Sequence, residues 1–340
     1  MLPVLPWTVH GQRLRYHCDV DDRIRTLNLA VLVAWVVVAP GCIYSSPTGE
    51  SSIDAGQEDS ESSAAQGDLA FGTNDTLDLV TWNIEEFPKN GQATVDAVVQ
   101  ILQGLDADLY ALQEISDVDA FEQMVDQMPG WKGYVQSEWY GGLAYLYRTG
   151  TIEVGRNYEI YTTEEFWAAF PRSPQVMEFR FKTHEFVVMN NHLKCCGDGV
   201  LDQDDSWDEE TRRMDATNLL KEYIDTHFSQ SRVVVLGDLN DSLTDMAQNN
   251  VFTSLLNDPD NYLFADMGIA EGEATEWSFP SYPSHVDHVL ITNELFDGFE
   301  HEDSCVLPLP VDEVFFDGWW DYEQTVSDHR PVALRIKLAE

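Results

Sequence analysis

Eight polar side chains stand where apolar runs of this sequence end or begin, and their types are those of hydrolytic chemistry. Asn83 closes the run Leu77–Asn83 and Glu114 follows DLYALQ. His192 ends Phe186–His192, and Asp238 and Asn240 follow VVVLG. Asp287 lies within HVDHVLI, and Asp328 and His329 precede the closing run Pro331–Leu338. Burying carboxylates and imidazoles at strand ends is costly unless they bind a cation or one another. One such position means little. Six segments supplying Asn, Glu, His, Asp with Asn, Asp, and Asp with His imply one convergent site. Its hard oxygen donors suit Mg²⁺, Mn²⁺ or Ca²⁺, which leaves the histidines for phosphate contact or proton transfer. No cysteine and histidine spacing reads as a zinc site.

The elements that must position these groups alternate between strand and helix. Strands are expected at Leu77–Asn83, Asp108–Gln113, Leu143–Arg148, Val176–Lys182, Phe186–His192, Arg232–Gly237, His285–Thr292 and Pro331–Leu338. Val95, Val98, Val99 and Leu102 recur at helical spacing, as do Phe121, Met124, Val125 and Met128, and a third helix is expected over Glu209–Phe228. Strand groups separated by helices argue an α/β sandwich with helices on the outer faces of its sheets.

Six segments carry a family resemblance: TWNIEEF (Thr81–Phe87), LQEI (Leu112–Ile115), NNHLK (Asn190–Lys194), GDLND (Gly237–Asp241), HVDHVLIT (His285–Thr292) and SDHRPV (Ser327–Val332). In this order and at these separations the chain resembles the endonuclease/exonuclease/phosphatase superfamily, which includes deoxyribonuclease-I-like enzymes, inositol polyphosphate phosphatases and neutral sphingomyelinases. The resemblance implies a four-layered α/β sandwich of two packed mixed β-sheets flanked by helices, with a phosphate ester at one edge. It implies that Glu114 is the principal metal ligand, helped by Asn83 and Asp328. Asp238 would activate the attacking water, and Asn240 would grip a phosphate oxygen. His329, steadied by Asp287, would stabilise developing charge or pass a proton, and His192 would donate to a non-bridging oxygen. In-line attack on phosphorus needs a base, positive charge on the equatorial oxygens and help for the leaving oxygen. His285 and His288, which flank Asp287, are read as structural.

Two cations lie beside these segments. Arg172, in PRSP, matches a position where the family often has an arginine on phosphate, and Lys194 follows His192. One departure stands out. Deoxyribonuclease-I-like members pair the middle histidine with a glutamate just before the strand Leu143–Arg148, where this chain has Gly141 and Gly142. The acidic loop Cys195–Asp205 has the composition of a Ca²⁺ loop or of a solvated surface turn. In VDEVFFDGWWDY (Val311–Tyr322) two aromatic pairs sit among acids, either as a platform for bases or lipid or as packing near the site.

Composition narrows the function further. The 340 residues hold 19 Lys and Arg against 60 Asp and Glu, a formal net charge of −41. Bulk electrostatic binding of a polyanion needs clustered cations, so passive nucleic-acid packaging is excluded, whereas an enzyme meeting phosphate through metal ions is not. The apolar run Leu29–Ala39 is too short for a comfortable bilayer span, follows arginines and precedes Ala39-Pro40-Gly41-Cys42, as in bacterial lipoprotein export signals. The expected organisation is an export segment over 1–42, a flexible acidic Ser-rich linker over 43–75 and one catalytic domain over 76–340. That places the enzyme outside the cytoplasm, either in the cell envelope with Cys42 as a lipid tether or extracellular. In an oxidising compartment a bridge from one of Cys195 and Cys196 to Cys305, leaving the other free, is one available pairing. The leading function is a divalent-metal phosphodiesterase acting on nucleic acid, with no obligate protein partner. A hydrolase of lipid or small phosphate esters is the alternative, and a non-catalytic binding module the third reading.

Overall fold

The computed structural model describes residues 69–136 and 141–338. The export segment 1–42, Cys42 with it, and the linker up to residue 68 lie outside the described residues. Two six-stranded sheets form the centre. The first contains β1 (Leu77–Phe87), β2 (Leu109–Ile115), β3 (Trp131–Gln136), β4 (Gly142–Arg148), β11 (Cys305–Pro308) and β12 (Val332–Ile336), in the order β11-β12-β1-β2-β4-β3. The second contains β5 (Ile152–Glu159), β6 (Gln175–Phe181), β7 (His184–His192), β8 (Arg232–Asp238), β9 (Tyr262–Phe264) and β10 (Asp287–Thr292), in the order β5-β6-β7-β8-β10-β9.

Side-chain alternation divides the apolar residues among three cores. Leu77, Leu79, Leu109 and Ala111 from the first sheet meet Met177, Val188, Val234, Leu236 and Val289 from the second, filling the space between the sheets. Val80, Trp82 and Ile84 face the other way, onto α1 (Gln92–Leu105) and α2 (Val118–Asp126). Val187, Met189, Val233 and Val235 pack under Ala216, Leu220 and Ile224 of α3 (Glu209–His227). The result is the expected four-layered sandwich. Strands covered on both faces read as continuous apolar runs, which is why VVVLG was legible. Asp117 caps α2 by accepting from the Ala120 amide, and Asp208 caps α3 by accepting from that of Thr211. Among the described residues no helix is long and apolar enough to cross a membrane.

Topology explains why the polar positions converge. β1 and β2 run parallel, as do β7 and β8, so the C-terminal ends of both pairs share one edge. β12 is antiparallel to β1, and β10 is antiparallel to β8 with Asp287 opposite Asp238. Asp287 and the Asp328–His329 pair therefore reach the same edge from the starts of their strands.

Three expectations change. The folded chain begins before Thr76: Phe71 is buried in the outer core, and the Phe71 and Gly72 amides donate to the Leu105 carbonyl. Arg335 lies over the Phe71 ring and bonds the buried Asp78, so a single aromatic anchors a segment whose composition reads as linker. Cys195 and Cys196 are both free, so neither bridges to Cys305, which is buried in β11. The segment Val311–Tyr322 is divided. Tyr322 is fully buried and Phe315 packs against the core, while Phe316 and Trp320 are 97% and 64% exposed.

Candidate active site

The bend at the end of β1 builds one wall. The register between β1 and β2 shifts between Asn83 and Phe87, and Glu85 and Glu86 take left-handed φ values of 35° and 47°. This bulge turns the Glu86 amide onto Glu114 Oε2 at 2.9 Å and the Glu85 amide onto Asn83 Oδ1 at 3.0 Å. Asn83 Nδ2 then donates to Glu114 Oε1 at 3.1 Å and to Asp238 Oδ2 at 3.0 Å, tying the two sheets together at the site. Asn83, expected to help hold the metal, fixes two carboxylates in this structure through its nitrogen, while its oxygen accepts from the Glu85 amide.

Asp238 lies at the centre. His192 Nε2 is 3.5 Å from its Oδ2 and His329 Nε2 is 3.9 Å from the same atom, while Glu114 Oε1 is 3.9 Å from His192 Nε2. Burial, with Asp287 and Glu114 adding negative charge against the opposing His329 and Asn83, raises the Asp238 carboxyl to about 7. His329 is held by Asp287, with Nδ1 2.7 Å from Oδ2, and its ring stacks on Phe279 at 4.6 Å and 23°. Burial opposes charge on His329, but Asp287, Asp238 and Asp328 outweigh it and lift the imidazole to about 10. His192 behaves oppositely: burial, with Arg172 and His329 nearby, pushes it well below its usual value. Their surroundings thus push the two imidazoles apart, His329 toward the charged form and His192 toward the neutral one.

The backbone under His329 is fixed by the first sheet. Trp82 Nε1 donates to the His329 carbonyl at 3.1 Å and to Tyr322 Oη at 3.0 Å, and Tyr322 donates to the same carbonyl. Ser327 Oγ donates to the Asn83 carbonyl at 2.6 Å and accepts from the His329 amide at 3.0 Å. Glu85 Oε2 accepts from the Asp328 amide at 3.0 Å and pairs with Lys89. Glu85, Phe279, Ser327 and Tyr322 are contributions that motif reading did not single out. Glu85 had a visible signal, an acid inside TWNIEEF; the others act through packing between distant segments.

The remaining expected residues divide. Asn240, at φ 57°, presents its amide nitrogen to the Leu193 carbonyl at 3.3 Å, and its own amide caps Asp238 at 3.1 Å. Arg172 is near enough to depress His192. Lys194 is engaged outside the carboxylate cluster: Nζ donates to the Cys195 carbonyl at 2.8 Å and lies 3.8 Å from Glu209. The departure at Gly141 has a steric cause. With φ +71°, a Cβ there would sit 3.1 Å from the Glu114 Cα, and the Nδ1 of His192 has no partner in this structure. In the Cys195–Asp205 loop the acids cap turns: Asp198 accepts from the Val200 amide at 3.0 Å, Asp202 from that of Asp204 at 3.1 Å and Asp205 from that of Trp207 at 2.9 Å. His285 and His288 both bind the buried Asp266, away from the catalytic carboxylates.

The donors fit a divalent cation. Glu114 and Asp328 present carboxylates beside Asp238, and burial together with the neighbouring Glu85 and Glu114 raises Asp328 to about 6. Carboxyls such as Asp238 and Asp328, kept from ionising by burial and then by neighbouring acids, mark a cluster that a hard cation would neutralise. A tighter grouping of Asp238, Asp287 and His329 also exists, but there His329 already uses Nδ1 for Asp287.

A two-sheet sandwich carrying this edge defines a phosphoric ester hydrolase. The profile of the Endonuclease/Exonuclease/phosphatase family matches residues 80–329, and the chain belongs to that family. Its enzymes are generally dependent on divalent metal. No curated protein matches the sequence. Among solved structures the chain is similar to D. rerio TDP2 complexed with single-strand DNA product, at 12% identity and TM-score 0.58, over 77% of this chain and 99% of that one. It is also similar to the human Nocturnin catalytic domain with bound sulfate, at 13% identity and TM-score 0.55, covering 78% and 94%. A Bacteroides thetaiotaomicron mannosyl-6-phosphatase aligns at 15% identity and TM-score 0.55, covering 77% and 100%. These likenesses concern the fold.

Proposed function

We propose that the chain is a divalent-metal-dependent phosphodiesterase that hydrolyses nucleic acid. The observation that carries this reading is the placement of Asp238 Oδ2 between His192 Nε2 and His329 Nε2, at 3.5 and 3.9 Å. Glu114 and Asp328 would hold Mg²⁺, Mn²⁺ or Ca²⁺, which would supply positive charge on a non-bridging phosphate oxygen. Asp238 accepts the proton of the attacking water. His192, held toward its neutral form by burial, donates from Nε2, the nitrogen that faces Asp238, to a non-bridging oxygen. His329 supplies the positive charge and proton that the leaving oxygen needs, with Asp287 holding its ring in place. Asn240 and Arg172 would complete the phosphate contacts. The single-strand DNA product in the similar TDP2 structure supports a nucleic-acid substrate.

The formal charge of −41 and the exposed Phe316 and Trp320 favour a second reading, a hydrolase of lipid or small phosphate esters. Export through the segment 1–42, with or without a tether at Cys42, is compatible with both readings. Hydrolysis of single-stranded DNA, RNA, plasmid, sphingomyelin and a sugar phosphate, each with Mg²⁺, Mn²⁺ or Ca²⁺, separates them. Cleavage of DNA or RNA that weakens steeply with salt supports the first. Intact nucleic acid with release of phosphate or phosphocholine replaces it with the second.

A further inference from the structure

The loop after His192 carries chemistry that the hydrolytic site does not use. Cys195 and Cys196 are adjacent in sequence, and neighbouring side chains in extended chain point to opposite sides. Here Cys196 takes φ 73°, with Gly197 at 109°, and this turn brings the two sulfurs to 2.9 Å. The turn is held from beneath. Buried Arg213 donates from one nitrogen to the Lys194 and Cys196 carbonyls at 2.8 and 2.7 Å, and Lys194 Nζ donates to the Cys195 carbonyl at 2.8 Å. Cys196 is exposed and Cys195 half-buried, so reagents in solvent can reach the pair.

We propose that Cys195 and Cys196 form a reversible vicinal disulfide, a modification site that adjusts the substrate side of the catalytic edge. The Cys196 thiol donates to the Cys195 sulfur, and the Lys194 ammonium lies 3.8 Å from that same sulfur. Cys195 is thus the sulfur placed to attack and Cys196 the one that resolves. Cys195 gives its proton to solvent and its thiolate attacks a low-molecular-weight disulfide, RSSR, and one RS⁻ leaves to take up a proton. Cys196 loses its proton to solvent and attacks the Cys195 sulfur, breaking its bond to R and releasing the second RS⁻. Two cysteine thiols are oxidised by two electrons, and the reagent disulfide is reduced to two thiols.

The loop is coupled to the catalytic edge on both sides. The Leu193 amide donates to the Asp238 carbonyl at 3.0 Å, and Asn240 Nδ2 donates to the Leu193 carbonyl. Arg213, which holds the loop carbonyls, also grips Asp241 at 2.7 Å, one residue beyond Asn240. Closing an eight-membered ring at Cys195–Cys196 re-aims the carbonyls that Arg213 and Lys194 hold. It therefore shifts the groups that position phosphate more than those that move protons.

The test exposes the full-length protein to oxidised glutathione, alkylates the remaining thiols and measures both the mass of the peptide spanning 195–196 and steady-state turnover. The expected peptide is unalkylated and lighter by two hydrogens, and returns to two alkylatable thiols with dithiothreitol. KM moves several-fold with little change in kcat, and Cys196→Ser shows no such response. Two alkylated cysteines, a persistent glutathione adduct or a bridge to another chain overturns the proposal, as does an equal KM in both redox states. The kinetic half rests on the phosphoesterase reading. The mass half does not, so a failure of one is distinguishable from a failure of the other.

Discussion

Two histidine–aspartate pairs sit one residue apart on β10 and do different things. Asp287 holds His329 Nδ1 at 2.7 Å, and Asp266 holds His288 Nδ1 at 2.6 Å. The difference lies at the other nitrogen. His329 Nε2 has no hydrogen bond and faces Asp238 and Asp328 at 3.9 and 3.8 Å, whereas His288 Nε2 is closed by the Asp241 carbonyl at 2.8 Å. Alternation along β10 sends Asp287 to the catalytic edge and His288 under the outer layer, against Phe252 and Phe264. A carboxylate-held imidazole can move protons only where one nitrogen is left to substrate. The same pair with both nitrogens satisfied is a tie between loops.

The largest expected effect breaks the open pair. His329→Ala should lower kcat by about 10²–10⁴-fold with the metal-binding acids intact, and Asp287→Ala should follow it closely because the ring loses its anchor. Steady-state kinetics on a phosphodiester, alongside thermal unfolding, checks this; the melting curve should change far less than the rate.

Breaking the closed pair should do the reverse. Asp266→Ala leaves His288 buried between an alanine and a carbonyl, at a cost of about 3–5 kcal/mol, while the folded fraction keeps its kcat. Denaturant unfolding read against activity per folded molecule tests it.

The pH dependence sharpens the contrast. Burial opposes charge on His288, but Asp266 outweighs it and raises its pKa. Its contribution to stability is full below the unfolded value of about 6.5 and is lost as pH rises through the raised folded value. Asp266, despite burial, is depressed by His288 and His285. Its contribution is present above the unfolded value of about 3.9 and is lost as pH falls through the depressed one. Unfolding free energy from pH 3 to pH 10 should therefore peak between these unfolded values for this pair, and lose that feature in Asp266→Asn. Turnover should follow the open pair instead. It should rise as Asp238, at about 7 without metal, gives up its proton, and fall only as His329 deprotonates near 10. Because turnover requires the metal, whose charge favours the ionised carboxylate, that lower limb should lie below the metal-free value of about 7.

A smaller effect is expected at Phe279, whose ring covers His329 without hydrogen bonding to it. Phe279→Leu should lower kcat several-fold and shift the upper limb of the pH profile. Smallest of all, Phe316→Ser should leave stability and nucleic-acid cleavage unchanged. A selective loss on vesicle substrates would favour the lipid reading.

Strands buried on both faces were readable as apolar runs, and the catalytic groups as the polar residues bounding them. All four strands that the sequence did not disclose, β3, β5, β9 and β11, are sheet edges. WKGYVQ and IEVGRNYE are half-solvated and mix polar with apolar residues, YLF is three residues long, and CVLP ends in proline. In the site, Glu114, Asp238 and His329 were legible because chemistry restricts their types. The roles of Ser327, Tyr322 and Phe279 were not, because each depends on a contact between segments far apart in sequence. Cys305 misled for the same reason: a pairing inferred from cysteine count says nothing about where β11 places its sulfur.

The most direct test of the account is single-turnover hydrolysis of a phosphodiester by the full-length protein with Mg²⁺, comparing wild type with Asp238→Ala. The account predicts metal-dependent cleavage that falls by at least about 10³-fold in the variant while its unfolding transition is retained. Cleavage at an undiminished rate by Asp238→Ala, or by wild type after chelation of all divalent metal, would contradict it.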